Sequence, residues 1–216
     1  MANYFIKFPK LFYSYDSFNT AELVTNIMAR FSLEQSTKEN TAVYYEYDVT
    51  EGDTPEVIAS KIYNSAERHW IVLMMNDIVD PQYDWPMTTI TLNNFVDKKY
   101  STSEYANSNT SGAGLTYAQS NTHSYYKIIT TTIPNGNKII NKYEIDANTY
   151  ANVTTSSSSV TLQDNNVITI ATTKTTKNYY DYEVEENEKK RKIKLLKPEF
   201  VNDLEKEVEA VFRTWV

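Results

Sequence analysis

The side chains of this chain that could do chemistry are few and scattered. The two histidines, His69 and His123, lie far apart, and no short Asp/Glu/His ligand motif joins them, so the pattern is not that of a metal site. Asp77, Asp80 and Asp84 lie close together, but a proline interrupts the run and the spacing is not that of a calcium loop. The chain has no cysteine, which excludes thiolate zinc sites, cysteine catalysis and a disulfide scaffold.

The remaining composition argues against several functional classes. The 28 acidic residues are scattered and contain no recognisable pair for glycoside hydrolysis, and we find no nucleophile motif, phosphate loop or dinucleotide fingerprint. We therefore predict a protein that is not an enzyme and has no cofactor and no metal. The net charge of -7, with no compact basic stripe, argues against nucleic-acid binding. The longest apolar run, Trp70–Met75, is too short to span a membrane, and we expect no secretion signal.

The N-terminal segment is rich in aromatic residues that are candidates for contact with a partner. Its large side chains are candidate anchors, either for the protein's own body or for a partner, because aromatic enrichment is also typical of interface cores. The residues that we assign as partner anchors are Tyr4, Phe5, Phe8, Phe12 and Tyr13. The spacing of Leu23, Val24, Ile27, Met28 and Phe31 then predicts an amphipathic helix that begins after Asn19.

A strand, a turn and two helices follow. Val43–Val49 is rich in Val and Tyr and predicts a strand. Gly52 permits a tight turn, Thr54 can cap a helix, and Pro55 fits the first helical position. The apolar face of this first helix is formed by Val57, Ile58, Ala59, Ile62 and Tyr63, and Asn64 is a plausible left-handed stop. The predicted buried side of the second helix contains Trp70, Ile71, Leu73 and Met74.

The middle of the chain is rich in Ser, Thr and Asn and predicts β-hairpins. An Asn-Gly step at Asn135-Gly136 separates the runs 125–133 and 138–145, which is a good hairpin signal. A weaker hairpin is predicted for 160–171. We expect mobile loops at 107–119 and 152–159, since both are polar and poor in large apolar residues.

The last part of the chain predicts a helix, a strand and a second helix. The block 183–194 places acids before bases, which suits a helix dipole, and Lys192–Lys197 alternates as a short strand. Pro198 can open the final helix. Its seam consists of residues spaced by three and four, which we assign as a second partner contact: Val201, Leu204, Val208, Val211 and Trp215.

Two separated blocks resemble known families. The run from Tyr47 to Pro55, with the helices that follow up to Asn76, resembles a LysM module, a small strand-helix-helix-strand unit that binds N-acetylglucosamine polymers. The continuation His69–Asp77, with Asp84-Trp85-Pro86, is similar to a narrower family: the LysM-like baseplate wedge protein 53 of T-even-type contractile-tailed bacteriophages. The cluster Asn187–Arg191 and the Ile-Lys-Leu-Leu stretch after it resemble the C-terminal element of the same family.

The resemblance implies an α+β fold with a small LysM-like β-α-α-β core, flanking amphipathic helices and an inserted β-rich region. The domains expected on this basis are an N-terminal aromatic segment and helix at 1–42, a LysM-like domain at 43–100, a β-hairpin insertion at 101–178 and a C-terminal helix-strand-helix at 179–216.

The resemblance also implies a function, with one alternative kept open. A wedge subunit of a phage tail baseplate would clamp wedge proteins and join neighbouring wedges into a six-fold ring. Its partners would be other wedge proteins, including neighbouring-wedge and sheath-initiating subunits, and it would assemble in the host cytoplasm and reside in the virion. Tyr83 and Trp85 would then contact neighbours. The alternative is a peptidoglycan- or chitin-binding module, which we do not favour. Its groove would be formed by Gly52, Asp53, Thr54, Asn76, Asp77 and Tyr83.

Overall fold

The computed structural model describes residues 8–14, 21–29, 31–164 and 166–213. Over these residues the chain has an α+β fold that divides into two compact units. The first unit contains residues 1–88 and 188–216, and the second contains residues 89–187. The boundaries expected from the sequence, after residues 100 and 178, differ from these, because helices 89–100 and 179–189 belong largely with the inserted sheet.

The first unit begins with a β-hairpin. Strand β1 (Lys10–Tyr13) pairs antiparallel with β2 (Glu22–Thr25), so the amphipathic helix predicted over residues 23–31 is wrong for the described part of that range. Its cap, Asn19, lies outside the described residues. Five apolar residues at helical spacing do not exclude a strand. Here the β-branched residues Val24 and Thr25 favour a strand, and they pair with Leu11 and Lys10 of β1.

The core of the first unit has the order strand, helix, helix, strand. After the short helix α1 (Gln35–Glu39), strand β3 (Tyr44–Asp48) leads into α2 (Pro55–Tyr63), a 3-10 turn (Ala66–Arg68) and α3 (His69–Met75). The strand that pairs with β3 is β8 (Lys192–Leu196), which lies near the other end of the chain. The expected unit at 43–100 therefore does not contain its own second strand, because the inserted unit separates the helices from β8.

The turn chemistry of α2 agrees with the prediction. Gly52 has φ +90° and Asn64 has φ +55°, which are the left-handed conformations that a tight turn and a helix stop require. Thr54 caps the helix, accepting a hydrogen bond from the Val57 amide at 3.4 Å, and Pro55 occupies the first helical position.

The buried side of α3 differs from the prediction. Ile71, Val72 and Met75 are the buried residues of this helix, whereas Trp70, Leu73 and Met74 are partly buried at its margin. The core that they join includes residues of α2, β8 and the last helix, together with Val49 just after β3 and Trp85 just after Asp84: Val49, Ile58, Ala59, Tyr63, Trp85, Ile193, Leu195, Leu196, Val201 and Leu204. Helix α4 (Pro81–Asp84) follows α3, and the unit ends with α9, whose bounds are Pro198–Arg213.

The second unit is a four-stranded antiparallel sheet with flanking helices. The sheet has the strand order β5-β4-β7-β6, and both predicted hairpins are confirmed. Its elements are α5 (Thr89–Tyr100), α6 (Ala113–Ser120), β4 (Thr122–Thr132), β5 (Lys138–Ile145), α7 (Ala147–Asn152), β6 (Ser156–Thr161), β7 (Val167–Asn178) and α8 (Tyr179–Lys189).

The two segments expected to be mobile loops contain regular structure. Asp97 on α5 accepts hydrogen bonds from the backbone amides of Gly112 and Leu115, at 2.9 and 3.1 Å, and so caps α6 from another helix. The serine run of β6 pairs with β7. Neither segment has an apolar pattern of its own, so both depend on partners in other elements, α6 on α5 and β6 on β7.

Candidate partner-contact surfaces

The β1–β2 hairpin presents large apolar side chains to solvent. Phe12 and Leu23 are directly opposite each other across the two strands and are 75% and 55% exposed. Tyr13, Ile27 and Met28 are also exposed. Together these five residues form what we call the hairpin surface. Large apolar side chains that are exposed side by side, as those of Phe12 and Leu23 are, are typical of interaction sites.

The base of the hairpin is anchored to the body of the first unit. The ring of Phe8 lies 5.0 Å from that of Phe212, and the ring of Phe31 lies 5.2 Å from Phe212 and 5.6 Å from Trp70. Phe8 therefore packs on its own protein, which corrects its assignment as a partner anchor. Tyr4 and Phe5 lie outside the described residues.

An apolar groove runs beside this aromatic cluster. Its volume is about 510 Å³. Its walls are the hairpin base, α3 and the turn after it, through Phe8, Ala29, Phe31, Trp70, Leu73 and Met74. The groove thus continues the apolar surface from the hairpin base onto the helical body.

Helix α9 uses most of its apolar seam internally. Val201 and Leu204 are 2% and 7% exposed and belong to the core, so their assignment as partner contacts is wrong. Val208 is half-buried against the same core. Val211 is 43% exposed, whereas Trp215 lies outside the described residues. The seam spacing agrees with the burial of Val201 and Leu204, but it could not distinguish the protein's own core from a neighbour's surface.

Trp85 and Tyr83 have different roles. Trp85 is buried, and its Nε1 donates a hydrogen bond to the backbone carbonyl of Asp53 at 2.9 Å, so it is a core residue and not a contact residue. Tyr83 is half exposed, and its backbone carbonyl accepts from Lys190 Nζ at 2.5 Å. Of this pair, only Tyr83 has a side chain on the surface.

Asp53, in the glycan groove of the alternative, is buried and is the centre of a hydrogen-bond network. Its carboxylate accepts hydrogen bonds from Thr50 Oγ1 at 2.6 Å, from Lys61 Nζ at 2.6 Å and from the Tyr47 hydroxyl at 3.0 Å. The hydrogen bond from Lys61, followed by that from Thr50, lowers the pKa of Asp53 to about 2. These three bonds fix the turn before α2 against β3.

Asn76 is engaged in the same way at the end of α3. Its Nδ2 donates to the backbone carbonyls of Val72 and Lys194, both at 2.8 Å, and its Oδ1 accepts from the Lys194 amide at 2.7 Å. Asp77, with φ +55°, forms an ion pair with Lys38. The side chains of Asp53 and Asn76 therefore hold the fold together, with Gly52 and Thr54 shaping the turn.

The sequence-based assignment missed three members of the hairpin surface. The spacing of Leu23, Ile27 and Met28 predicts an amphipathic helix and not a partner contact, yet all three side chains are exposed. The signal that could have placed them is the β-prone run at residues 11–13, which favours a strand and therefore needs a partner strand.

The described ranges contain no group of three or more side chains that could hold a metal ion. None of the helices in the part of the chain that the structure describes is both long and apolar enough to cross a membrane.

Comparison with known proteins identifies the family. The family model described as base plate wedge protein 53 matches residues 6–209. No curated protein matches the chain. Because the family match extends over nearly the whole sequence, including the inserted sheet, this chain belongs to the base plate wedge protein 53 family and is a structural component of a bacteriophage tail baseplate.

Proposed function

We propose that this protein clamps wedge subunits and joins neighbouring wedges into a six-fold baseplate, with the hairpin surface as its principal contact. The observation that supports this proposal most strongly is the exposed cross-strand pair of Phe12 and Leu23. Burial of one such side chain at an interface contributes about 1.5 to 3 kcal/mol, so a few of them suffice for a specific contact.

The surroundings of the hairpin support the same role. Its base is fixed by the packing of Phe8 and Phe31 on Phe212, so the hairpin surface is presented on an ordered support. Pre-organisation of this kind lowers the entropic cost of association. The apolar groove lined by Trp70 and Leu73 offers a second place for a side chain of the same partner.

We further propose that the strand-helix-helix-strand core is a LysM-like scaffold used for docking. The glycan-binding alternative would have to use backbone groups and the Tyr83 ring, because the side chains of Asp53 and Asn76 form hydrogen bonds within the protein itself. In this proposal Tyr83 and Val211 are secondary contacts, the partners include neighbouring-wedge and sheath-initiating subunits, and assembly takes place in the host cytoplasm.

The test is wedge assembly from purified components with the double variant Phe12→Ser/Leu23→Ser. We expect incorporation into the wedge to fall by about tenfold or more, since two buried apolar contacts would be lost. Phe8 is left unchanged because its removal would damage the aromatic cluster.

The matched control is Ile90→Ser, which removes an apolar side chain that is also 75% exposed but lies outside the hairpin. Thermal unfolding should be unchanged in both variants. Normal incorporation of the hairpin variant, with the fold intact, would show that the hairpin surface is not the contact.

A further inference from the structure

We propose that Asn135 is a site of spontaneous covalent modification, at which the side-chain amide is lost through a cyclic imide formed with the Gly136 backbone nitrogen. The site lies in residues 134–137, which join β4 to β5 and which we call the tip. This inference concerns the second unit only and is independent of the proposed contact at the hairpin surface. It rests on the exposure of the tip, on its hydrogen bonds and on the absence of a side chain at Gly136.

The first observation is that the tip is open to water. Residues 134–137 are all exposed, and a Cβ atom added at Gly136 would meet no atom within 4 Å. Two backbone hydrogen bonds close the turn: Gly136 N–H donates to the Ile133 carbonyl at 2.9 Å, and Ile133 N–H donates to the Asn137 carbonyl at 3.0 Å. Because no side chain of the tip is buried, local opening costs little free energy, and opening frees the Gly136 nitrogen to react.

The second observation is that the side-chain carbonyl of Asn135 is turned towards the backbone that follows it. Its Oδ1 accepts a hydrogen bond from the Asn137 amide at 3.0 Å. The ring closed by this bond contains the Gly136 peptide, so the Asn135 Cγ atom is held beside the nitrogen that must attack it. A donor on the carbonyl oxygen also stabilises the negative charge that develops there during the attack.

The third observation concerns the residue that follows the asparagine. Asn40 is also exposed, and its Oδ1 accepts a similar hydrogen bond from the Ala42 amide at 3.0 Å. The next residue there is Thr41, whose β-branched side chain crowds its own backbone nitrogen, whereas Gly136 has no side chain. We therefore expect the reaction at Asn135 and not at Asn40, although both side chains make the same kind of bond.

The reaction needs water as its only co-reactant. The Gly136 nitrogen loses its proton to hydroxide and forms a bond with Asn135 Cγ. The bond between Cγ and the side-chain nitrogen then breaks, and this nitrogen leaves as ammonia. Water adds to either carbonyl carbon of the resulting five-membered imide and opens the ring, which gives aspartate or isoaspartate. No group is oxidised or reduced.

The two products differ in their effect on the turn. Aspartate adds one negative charge to an uncharged tip and keeps the length of the backbone. Isoaspartate carries the chain through the side-chain carbonyl, which adds one methylene group to the main chain. Because the loop length fixes the register of a hairpin, we expect the isoaspartate form to lose the two hydrogen bonds that close the tip.

The test is incubation of the full, folded chain at mildly alkaline pH, followed by trypsin digestion and mass spectrometry. Peptide 128–138 contains the site, and fragmentation distinguishes Asn135 from Asn137. We expect a gain of one mass unit at Asn135, at a rate that rises with pH because the attacking nitrogen must lose a proton. Asn40 in the same digest should react at least about tenfold more slowly.

A matched variant is Gly136→Asn, which adds a side chain to the attacking residue. Gly136 has φ +83°, and asparagine tolerates a positive φ better than most other residues do, so the turn should be kept. We expect modification of Asn135 to slow by about tenfold, because the added Cβ crowds the attacking nitrogen. Hydrogen-exchange protection of β4 and β5 equal to that of the wild type would show that the hairpin is intact.

Three outcomes would overturn the inference: a peptide 128–138 of constant mass, a modification confined to chains unfolded in urea, or equal rates at Asn135 and Asn40. The second outcome would show that the folded turn protects Asn135. None of these measurements involves incorporation into a wedge. A stable Asn135 is therefore distinguishable from a failed contact at the hairpin surface.

Discussion

At the scale of single residues, the first unit depends on a buried carboxylate. The Asp53 carboxylate accepts hydrogen bonds from Lys61, Thr50 and Tyr47. The backbone carbonyl of the same residue accepts a hydrogen bond from the Trp85 indole. One residue thus connects the turn before α2 with β3, with α2 itself and with the segment after α4. Removal of this side chain should affect the stability of the unit.

We expect Asp53→Asn to lower the free energy of unfolding near neutral pH by about 1 to 2 kcal/mol. The ion pair with Lys61 would be lost, although Lys61 is half exposed, which limits the effect. The pKa of Asp53 is lowered to about 2 in the folded protein from its ordinary value of 3.8. The stabilisation is therefore fully present above about pH 4 and is lost as pH falls towards 2.

Urea unfolding of the two proteins across this pH range measures the effect. The stability difference between wild type and variant should narrow as pH falls from about 4 to about 2. Glu207→Gln removes an acid from the exposed surface of α9 and should leave the stability unchanged. A difference that stays constant with pH would contradict this assignment of the carboxylate.

At the scale of elements, helix α6 is held against α5 by a close backbone approach. A Cβ atom at Gly114 would lie 2.0 Å from the Asp97 carbonyl oxygen and 2.7 Å from the Ser101 amide nitrogen. Both atoms are backbone, so neither can move aside cheaply. Glycine is required here by contact between helices, not by backbone conformation.

We therefore expect Gly114→Ala to destabilise the second unit by about 3 kcal/mol, because the two helices must separate to admit the methyl group. Chemical denaturation followed by hydrogen exchange in α5 and α6 measures this loss. Gln119→Ala changes an exposed position of the same helix and should have no effect. Equal stability of Gly114→Ala and wild type would show that the helices do not approach this closely.

At the scale of the whole molecule, the first unit is assembled from the two ends of the chain. Strand β3 pairs with β8, and the core includes Ile193, Leu195 and Leu196 from that strand. The second unit has its own sheet and is continuous in sequence. Removal of the last segment should therefore affect the two units unequally.

We expect a chain that ends at residue 187 to lose hydrogen-exchange protection in β3, α2 and α3, since it lacks both β8 and α9. The strands of the inserted sheet should keep their protection, because their partners are all retained. The full chain is the reference. Protection of β3 in the truncated chain equal to that in the full chain would contradict the two-ended assembly.

The sequence alone determined the features that depend on local chemistry. The turn at Gly52, the cap at Thr54 and the hairpin at Gly136 follow from backbone preferences of a few neighbouring residues, and all three are present in the structure. The burial of Val201 and Leu204 followed from their helical spacing. The family resemblance was likewise carried by short runs of residues.

Only the tertiary structure decided which surfaces face the protein's own core. The strand that pairs with β3 lies at residues 192–196. Leu23 is exposed on the hairpin, whereas Trp85 is buried in the core and hydrogen-bonded to Asp53. Apolar residues are attracted to any apolar surface, because the hydrophobic effect has no direction. The sequence therefore predicts that a large apolar side chain will be removed from water. Only the folded chain shows whether that side chain packs in the protein's own core or is left for a partner to cover.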